Sequence, residues 1–367
     1  MSFSPILETL LAMCEETDAS DLHLSVGLAP RFRIRGALVE YGDFRPFDVK
    51  TVDSIAMEIG LLTLPVGSSE GTERVRLTLL KDGAIDGALT APSGTRFRFN
   101  VYRAHDLHAV ALRRLDQHFR TFEELGLPPR LADFCDERDG LVIVTGPTGS
   151  GKSTTLATMI DRINHGRDGH VVTIEDPIEF MHKSDRCIVN QRQVGRDTRS
   201  FNDALVEAMR QDPDVILVGE IRDLATIRTA LRAAETGHLV LTTLHAGDCA
   251  GAIERLVSVF PADEQNSARH QLALVLRGIF AQHLLPSPDG KRRPVCELLV
   301  NTAACANLIA TGRTAQIYSI IETGGKAGMR TLDQSLAELL AAKQIDARTA
   351  LALSRNPDSL KGRLRLC

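Results

Sequence analysis

Nine consecutive residues, Gly146, Pro147, Thr148, Gly149, Ser150, Gly151, Lys152, Ser153 and Thr154, satisfy the phosphate-loop pattern. The residue types match a chemistry. Glycines let successive backbone N–H groups curl around phosphates at a helix N-terminus, the Lys152 amine reaches the β and γ phosphates, and the Ser153 hydroxyl can hold Mg²⁺. A turn that only capped a helix would need neither Lys nor Ser at that spacing. A nucleoside triphosphate with Mg²⁺ is therefore the expected ligand.

Two acidic strand ends follow. In Asp214-Val215-Ile216-Leu217-Val218-Gly219-Glu220, Gly219 stands where many such enzymes carry Asp, which leaves Glu220 to polarise an attacking water. An ordinary surface or N-cap acid is the alternative. In Val172-Thr173-Ile174-Glu175-Asp176-Pro177, Glu175 is a candidate for positioning water or Mg²⁺. His238 and His245 bracket the apolar run Leu239 to Leu244, seven residues apart and so on opposite faces of a regular strand, which disfavours a zinc pair. Taken alone, a histidine in such a place is more often a hydrogen-bonded structural residue, but His245, at the C-terminal end, can sense the γ phosphate.

The elements that must position these groups are visible as well. Leu141–Thr145, Val171–Ile174, Val215–Val218 and Leu239–Leu244 are apolar runs of strand length, expected in a parallel sheet. Between them, Leu156, Met159, Ile160 and Ile163 fall at helical spacing, as do Leu224, Ile227, Leu231 and Ala234, with Asp223 as N-cap and Gly237 as stop. This is βαβ architecture. From about Pro261 the tail reads as helical, with one stripe at Leu272, Val275, Leu276, Ile279 and Phe280 and another at Leu332, Leu336, Leu339 and Leu340. Residues 1–116 read instead as a small α+β domain of short strands, joined by a connector at 117–130 to the domain at 131–367. In Arg96-Phe97-Arg98-Phe99-Asn100-Val101 the period of two sets Arg96 and Arg98 on one face and Phe97, Phe99 and Val101 on the other.

Composition narrows the function classes. The 367 residues include 43 Lys and Arg against 47 Asp and Glu, a net charge of -4, so a globally basic nucleic-acid coat is excluded. The seven cysteines are scattered, which suggests neither a disulfide framework nor zinc and fits a reducing compartment. Cys249 is expected to be a small buried residue rather than a redox centre. The N-terminus lacks the features of a secretory signal, and no apolar run reaches membrane-spanning length. A cytoplasmic protein is expected, with any membrane role peripheral.

These blocks in this order resemble the secretion and pilus traffic ATPases and, within them, the type IV pilus retraction group of PilT and PilU. The likeness runs from Ala19-Ser20-Asp21-Leu22-His23-Leu24 through Phe260-Pro261-Ala262-Asp263 to Gly328-Met329-Arg330-Thr331-Leu332-Asp333-Gln334. Leu112-Arg113-Arg114-Leu115, the segment 282–290 and Pro357-Asp358-Ser359-Leu360 look closer to PilU. The resemblance implies a PAS-like N-terminal domain on a RecA-like core that binds ATP and Mg²⁺ and assembles as a homohexamer. It also implies roles for Glu175, Glu220, His238 and His245, and it places Arg96, Arg98 and Arg113 among arginines that reach nucleotide; Arg103 and Arg114 are fallbacks, and a solvated strand face is the alternative for Arg96 and Arg98. An inner-membrane pilus platform protein and a paralogous retraction ATPase are the implied partners.

Two departures from the group are informative. Where PilT-type enzymes carry Ala-Ile-Arg-Asn-Leu-Ile, this chain reads Ala304-Cys305-Ala306-Asn307-Leu308-Ile309. The tetracysteine zinc motif of assembly ATPases is absent from the sequence. The expectation is a hexameric ATPase motor for pilus retraction and twitching motility. An accessory subunit acting with a paralogous motor is the second reading, and a DNA-translocating relative a third, disfavoured by the charge and by the absence of Trp.

Overall fold

The computed structural model describes residues 3–64, 71–115 and 118–364. The expected domain boundary at 116/117 and Cys367 lie outside the described residues. The described chain divides into two compact units, one comprising residues up to His118 together with Glu175–His182 and Gln191–Ser200, the other comprising Phe119–Ile174, Lys183–Asn190 and the chain from Phe201 onward.

The first unit is built from α1 (Pro5–Glu16), β1 (Asp21–Ser25), β2 (Arg31–Ile34), β3 (Ala37–Glu40), α2 (Val49–Leu61), α3 (Gly71–Asp82), β4 (Ala84–Thr90), β5 (Arg96–Ala104) and β6 (Leu107–Leu115). Its strands form an antiparallel sheet in the order β3-β2-β1-β6-β5-β4. Register explains how the two faces differ. Phe32, Leu22, Leu112 and Phe99 stand opposite one another across β2, β1, β6 and β5 and are buried with Leu7, Leu10 and Leu11 of α1 and Val52, Ile55 and Ile59 of α2. The adjacent row, one residue along each strand and so on the other face, is Arg33, Asp21, Arg113 and Arg98.

The second unit carries α4 (Arg130–Asp136), β7 (Gly140–Thr145), α5 (Lys152–Gly166), β8 (Gly169–Glu175, whose last residue belongs to the first unit), β9 (Cys187–Gln193, whose last three residues do too), α6 (Phe201–Ala208), β10 (Val215–Val218), α7 (Leu224–Glu235), β11 (Leu239–Leu244), α8 (Cys249–Ser258), α9 (Gln265–Val275), β12 (Leu276–Pro286) and β13 (Arg292–Val300). Helices α10 (Ala303–Ala310), α11 (Ile317–Thr323), α12 (Leu332–Ala341), α13 (Ala347–Leu353) and α14 (Pro357–Leu364) follow. The sheet runs β13-β12-β7-β11-β10-β8-β9, with β12, β7, β11, β10 and β8 mutually parallel and β13 antiparallel. Every residue of β7, β10 and β11 is buried, as expected for parallel strands covered on both faces. The Asp223 carboxylate accepts from the Thr226 N–H and caps α7, and Gly237 takes the left-handed conformation just beyond its end (φ 98°).

One expectation is corrected. The stripe from Leu272 to Phe280 is not one helix: α9 ends at Val275, and Leu276, Ile279 and Phe280 belong to β12. A strand covered on both faces of its sheet, as β12 is over Gly278–Gln282, buries consecutive residues, so its apolar residues lose the alternation that marks a half-buried strand and can imitate helical spacing. The C-terminal region thus contributes two strands to the central sheet before its helices. Behind β13, a smaller core gathers Val295, Leu336, Ile345, Ala350 and Leu360. No helix among the described residues is long and apolar enough to cross a membrane.

Candidate active site

In the second unit the phosphate loop springs from the buried end of β7 and closes into α5. The loop residues depend on glycine at both ends. Gly146 (φ 146°) and Gly151 (φ 90°) adopt backbone conformations that other residues avoid. Helix α5 is anchored by Leu156, Met159, Ile160 and Ile163, the residues its periodicity singled out. Lys152, at the first helical position, is only 9% exposed, and its ammonium donates to the carbonyls of Gly146 (2.9 Å) and Pro147 (3.0 Å). Burial lowers its pKa, and the nearby Glu220 carboxylate opposes that. The Ser150 hydroxyl is buried without a hydrogen-bond partner among the described residues, whereas Ser153 is exposed on the first turn of α5. Pro147, Thr148, Gly149 and Thr154 complete the loop around them.

Adjacent parallel strands place the other groups. β11 lies between β7 and β10, so all three C-terminal ends open on the same edge of the sheet. Glu220 leaves the end of β10 through Gly219, whose carbonyl accepts from the Thr243 hydroxyl at 2.5 Å. His245 leaves the end of β11, and Thr145 fixes that exit by donating to the Ala246 carbonyl and accepting from the Ala246 N–H, both at 2.9 Å. Glu220 pairs with Arg222 at 2.7 Å and lies 3.7 Å from Nε2 of His245. Lys152, Glu220 and His245 thus form one electrostatic group, a crevice at the carboxyl ends of a parallel sheet.

The charge balance around His245 keeps it neutral. Burial, then Lys152, depress its pKa below the ordinary 6.5; Glu220 raises it, while Arg222 and Arg255 lower it further. A neutral imidazole presents one donor and one acceptor to a substrate oxygen or water. Because the folded pKa is the lower one, the unfolded chain takes up the proton first as pH falls. This stabilising contribution is therefore full above 6.5 and is lost as pH falls from there toward the folded value. Between about pH 7 and about pH 5.5 the wild-type chain is expected to lose more melting temperature than the His245→Gln variant. Equal losses would remove His245 from this role.

His238 is not part of the group. It precedes β11, at the opposite end of the strand from His245, and its Nδ1 donates to the Ala233 carbonyl at 2.9 Å near the end of α7.

The remaining expected residues belong to the first unit. Glu175 ends β8 and accepts from the Gln191 amide at 3.2 Å. Arg96 does not lie on a solvated face: it is 7% exposed, donating to the Thr90 hydroxyl (3.0 Å) and the Ile178 carbonyl (3.2 Å). Its Nε has no partner among the described residues. Burial and then Arg196 lower its pKa, against Glu175. Arg98 projects outward 3.6 Å from Glu179, and Arg113 donates to Asp21 at 2.8 Å. Burial raises the Asp21 pKa, but hydrogen bonds from Ser20 and Arg113 outweigh it and hold the carboxyl below its usual range. Arg103 pairs with Asp106 at 2.7 Å, and Arg114 pairs with Asp18. Cys249, on α8 of the second unit, is fully buried, and burial pushes its thiol pKa far up, which fits a packing residue.

Thr145, Arg222 and Arg196 were missed from sequence. Thr145 left a signal, a hydroxyl closing an all-apolar strand immediately before the loop; Arg222 left another, a cation two residues after Glu220.

Comparison with known proteins places this arrangement. A chain of Pseudomonas aeruginosa described as the type IV pilus retractation ATPase PilT is 42% identical over 350 residues, covering 95% of this chain and 98% of its own. The type IV pilus ATPase PilU of the same organism is 37% identical over 360 residues, covering 98% and 91%. The local likeness of three segments to PilU therefore does not extend to a higher overall identity. A crystal structure of the pilus retraction motor PilT with bound ADP superposes with a TM-score of 0.87 at 41% identity, covering 97% of this chain and 99% of that one. The model of the type II/IV secretion system protein family matches residues 6–352, and the chain belongs to that family.

Proposed function

We propose that this chain is an ATP-hydrolysing motor subunit that drives retraction of a type IV pilus. The observation that carries the reading is the convergence of Lys152, Glu220 and His245 at the carboxyl ends of β7, β10 and β11. The similarity to the ADP-bound retraction motor supports it.

The residues fit a nucleotide with its cation. The Ser150 hydroxyl lacks a partner while buried, the Lys152 ammonium is desolvated, and the Ser153 hydroxyl stands at the N-terminus of α5. Mg²⁺, when bound, neutralises charge on the β and γ phosphates, and Ser153 would hold it. The chain's own groups do the rest. Lys152 donates to loop carbonyls and turns those protons to phosphate oxygens. Glu220 orients a water in line with the γ phosphorus and draws on its proton, while Arg222 holds the acid in place through their 2.7 Å pair. Neutral His245 reports on that oxygen through its 3.7 Å approach to Glu220. Glu175 orients water or cation as a supporting acid. Arg96, Arg98 and Arg113 are the arginines that meet the transferring phosphoryl group once six copies close a ring. An arginine delivered this way is worth ~10³ to 10⁵ in rate, so hydrolysis is gated by assembly. The ring works at the cytoplasmic side of the inner membrane, held there by the pilus platform protein.

A second reading, an accessory subunit working beside a paralogous motor, is favoured by one observation. Ala306, half-buried on α10, stands where PilT-type motors carry the Arg of their C-terminal motif. Expression in a piliated strain without retraction ATPases separates the two. Restored twitching without any paralogue is the expected result for a motor. Restoration only when a paralogous ATPase is co-expressed would assign the accessory role, and none in either case would refute pilus retraction.

A further inference from the structure

The phosphate loop rests on a residue 136 positions downstream of its first glycine, counting from 146 to 282. β12 pairs with β7 in parallel, Ala281 opposite Thr145, so Gln282 comes level with the start of the loop. Gln282 is 3% exposed, and its Oε1 accepts from the hydroxyl of Thr155, itself 1% exposed on the first turn of α5, at 2.7 Å. A Cβ on Gly146 would lie 2.2 Å from the Gln282 carbonyl oxygen. A Cβ on Gly151 would lie 2.9 Å from the Gln282 amide nitrogen. Both loop-closing glycines therefore lie against one residue, which also holds the helix between its grip on the loop and the core. The next side chain, on the opposite face of β12, reaches the other half of the site: Nε2 of His283 donates to the Gly247 carbonyl at 3.1 Å, two residues beyond His245.

We propose that Gln282 is a positioning residue for nucleotide binding, whose side chain sets the backbone of the phosphate loop by filling the space under Gly151 and by hydrogen bonding to Thr155, while its main-chain carbonyl lies against Gly146. It touches no phosphate; it acts by fixing where the loop N–H groups and Lys152 point. The inference rests on the ATPase reading and deepens it. A buried amide with this contact set is more than filler, because a side chain of equal volume without polar atoms would leave the buried Thr155 hydroxyl unmet and the loop free to relax. His283, from the same strand, ties the spacing of the loop to that of His245.

The test uses full-length protein and a fluorescent ADP analogue as probe, with hexamer mass and unliganded melting temperature recorded for each variant. Gln282→Met, which keeps volume, is expected to weaken binding roughly tenfold. Thr155→Val should do the same, Thr155→Ser should bind like wild type, and the double variant should be no worse than the weaker single variant. A structural role alone would lower melting temperature and leave affinity unchanged in the folded fraction. If Gln282→Met does not fold, the Val and Ser variants at Thr155 still decide: equal affinities there overturn the proposal. Wild-type affinity in both single variants, or a double variant equal to the product of the two effects, also overturns it. Those results leave the ATPase reading intact, whereas a wild-type chain that fails to bind the probe overturns that reading itself.

Discussion

Replacing Glu220 by Gln is expected to lower kcat for ATP hydrolysis by about 10² to 10⁴ while nucleotide affinity stays within a few-fold of wild type. The amide keeps the volume and the acceptor oxygen that faces Arg222 at 2.7 Å, but it has no charge with which to draw a proton from water. Loss of the charge also removes the influence that raises the His245 pKa, so the remaining influences depress it further and the imidazole stays neutral. Phosphate release at saturating ATP, with affinity measured separately, checks this. A kcat within tenfold of wild type would mean that another group prepares the water, and Glu175 is the acid to examine next.

Lys152→Ala is expected to fail one step earlier. The ammonium is buried and held by the Gly146 and Pro147 carbonyls, so it stands ready to make charge-assisted bonds to phosphate oxygens. Each such bond is worth about 1.5–3 kcal/mol, so losing the pair weakens affinity by on the order of 10²-fold or more and leaves hydrolysis undetectable. Thermal denaturation with and without excess ADP reads this directly. Wild type should gain melting temperature with ADP, and the variant should gain almost none. A variant stabilised by ADP as much as wild type would remove Lys152 from the binding role. Together the two variants separate binding from turnover, which a single loss of activity does not.

What was legible in the sequence depended on distance along the chain. The strand, loop and helix from Leu141 to Ile163 were readable because the signals that specify them are local in the sequence: apolar run, glycines, then helical spacing. The same holds for the Asp223 cap and for the strands ending at Glu175, Val218 and Leu244. β12 was not readable, because burial on both faces erased its alternation and Leu272 to Phe280 happened to match a helix. Gln282 escaped for a related reason. Its partner Thr155 lies 127 residues away, and a lone Gln in an apolar strand has no pattern of its own. Arg96 was visible as an arginine but not as a buried one, since the Ile178 carbonyl that receives it lies 82 residues onward. Charged residues on a strand announce a polar face; only the fold decides whether that face meets water.

The make-up of the first unit bears on how such proteins can be taken apart. Its chain does not end at His118, for it includes Glu175–His182 and Gln191–Ser200. Arg96 gives one of its guanidinium bonds to Ile178, and Arg98 faces Glu179. A fragment cut at His118 would keep the six strands of its sheet but lose both partners, leaving Arg96 with only its Thr90 bond and Arg98 without the Glu179 carboxylate. The N-terminal part is therefore not a portable module. Chimeras between relatives should exchange all three stretches of sequence together, and a swap confined to the first of them should yield a folded sheet with miswired arginines.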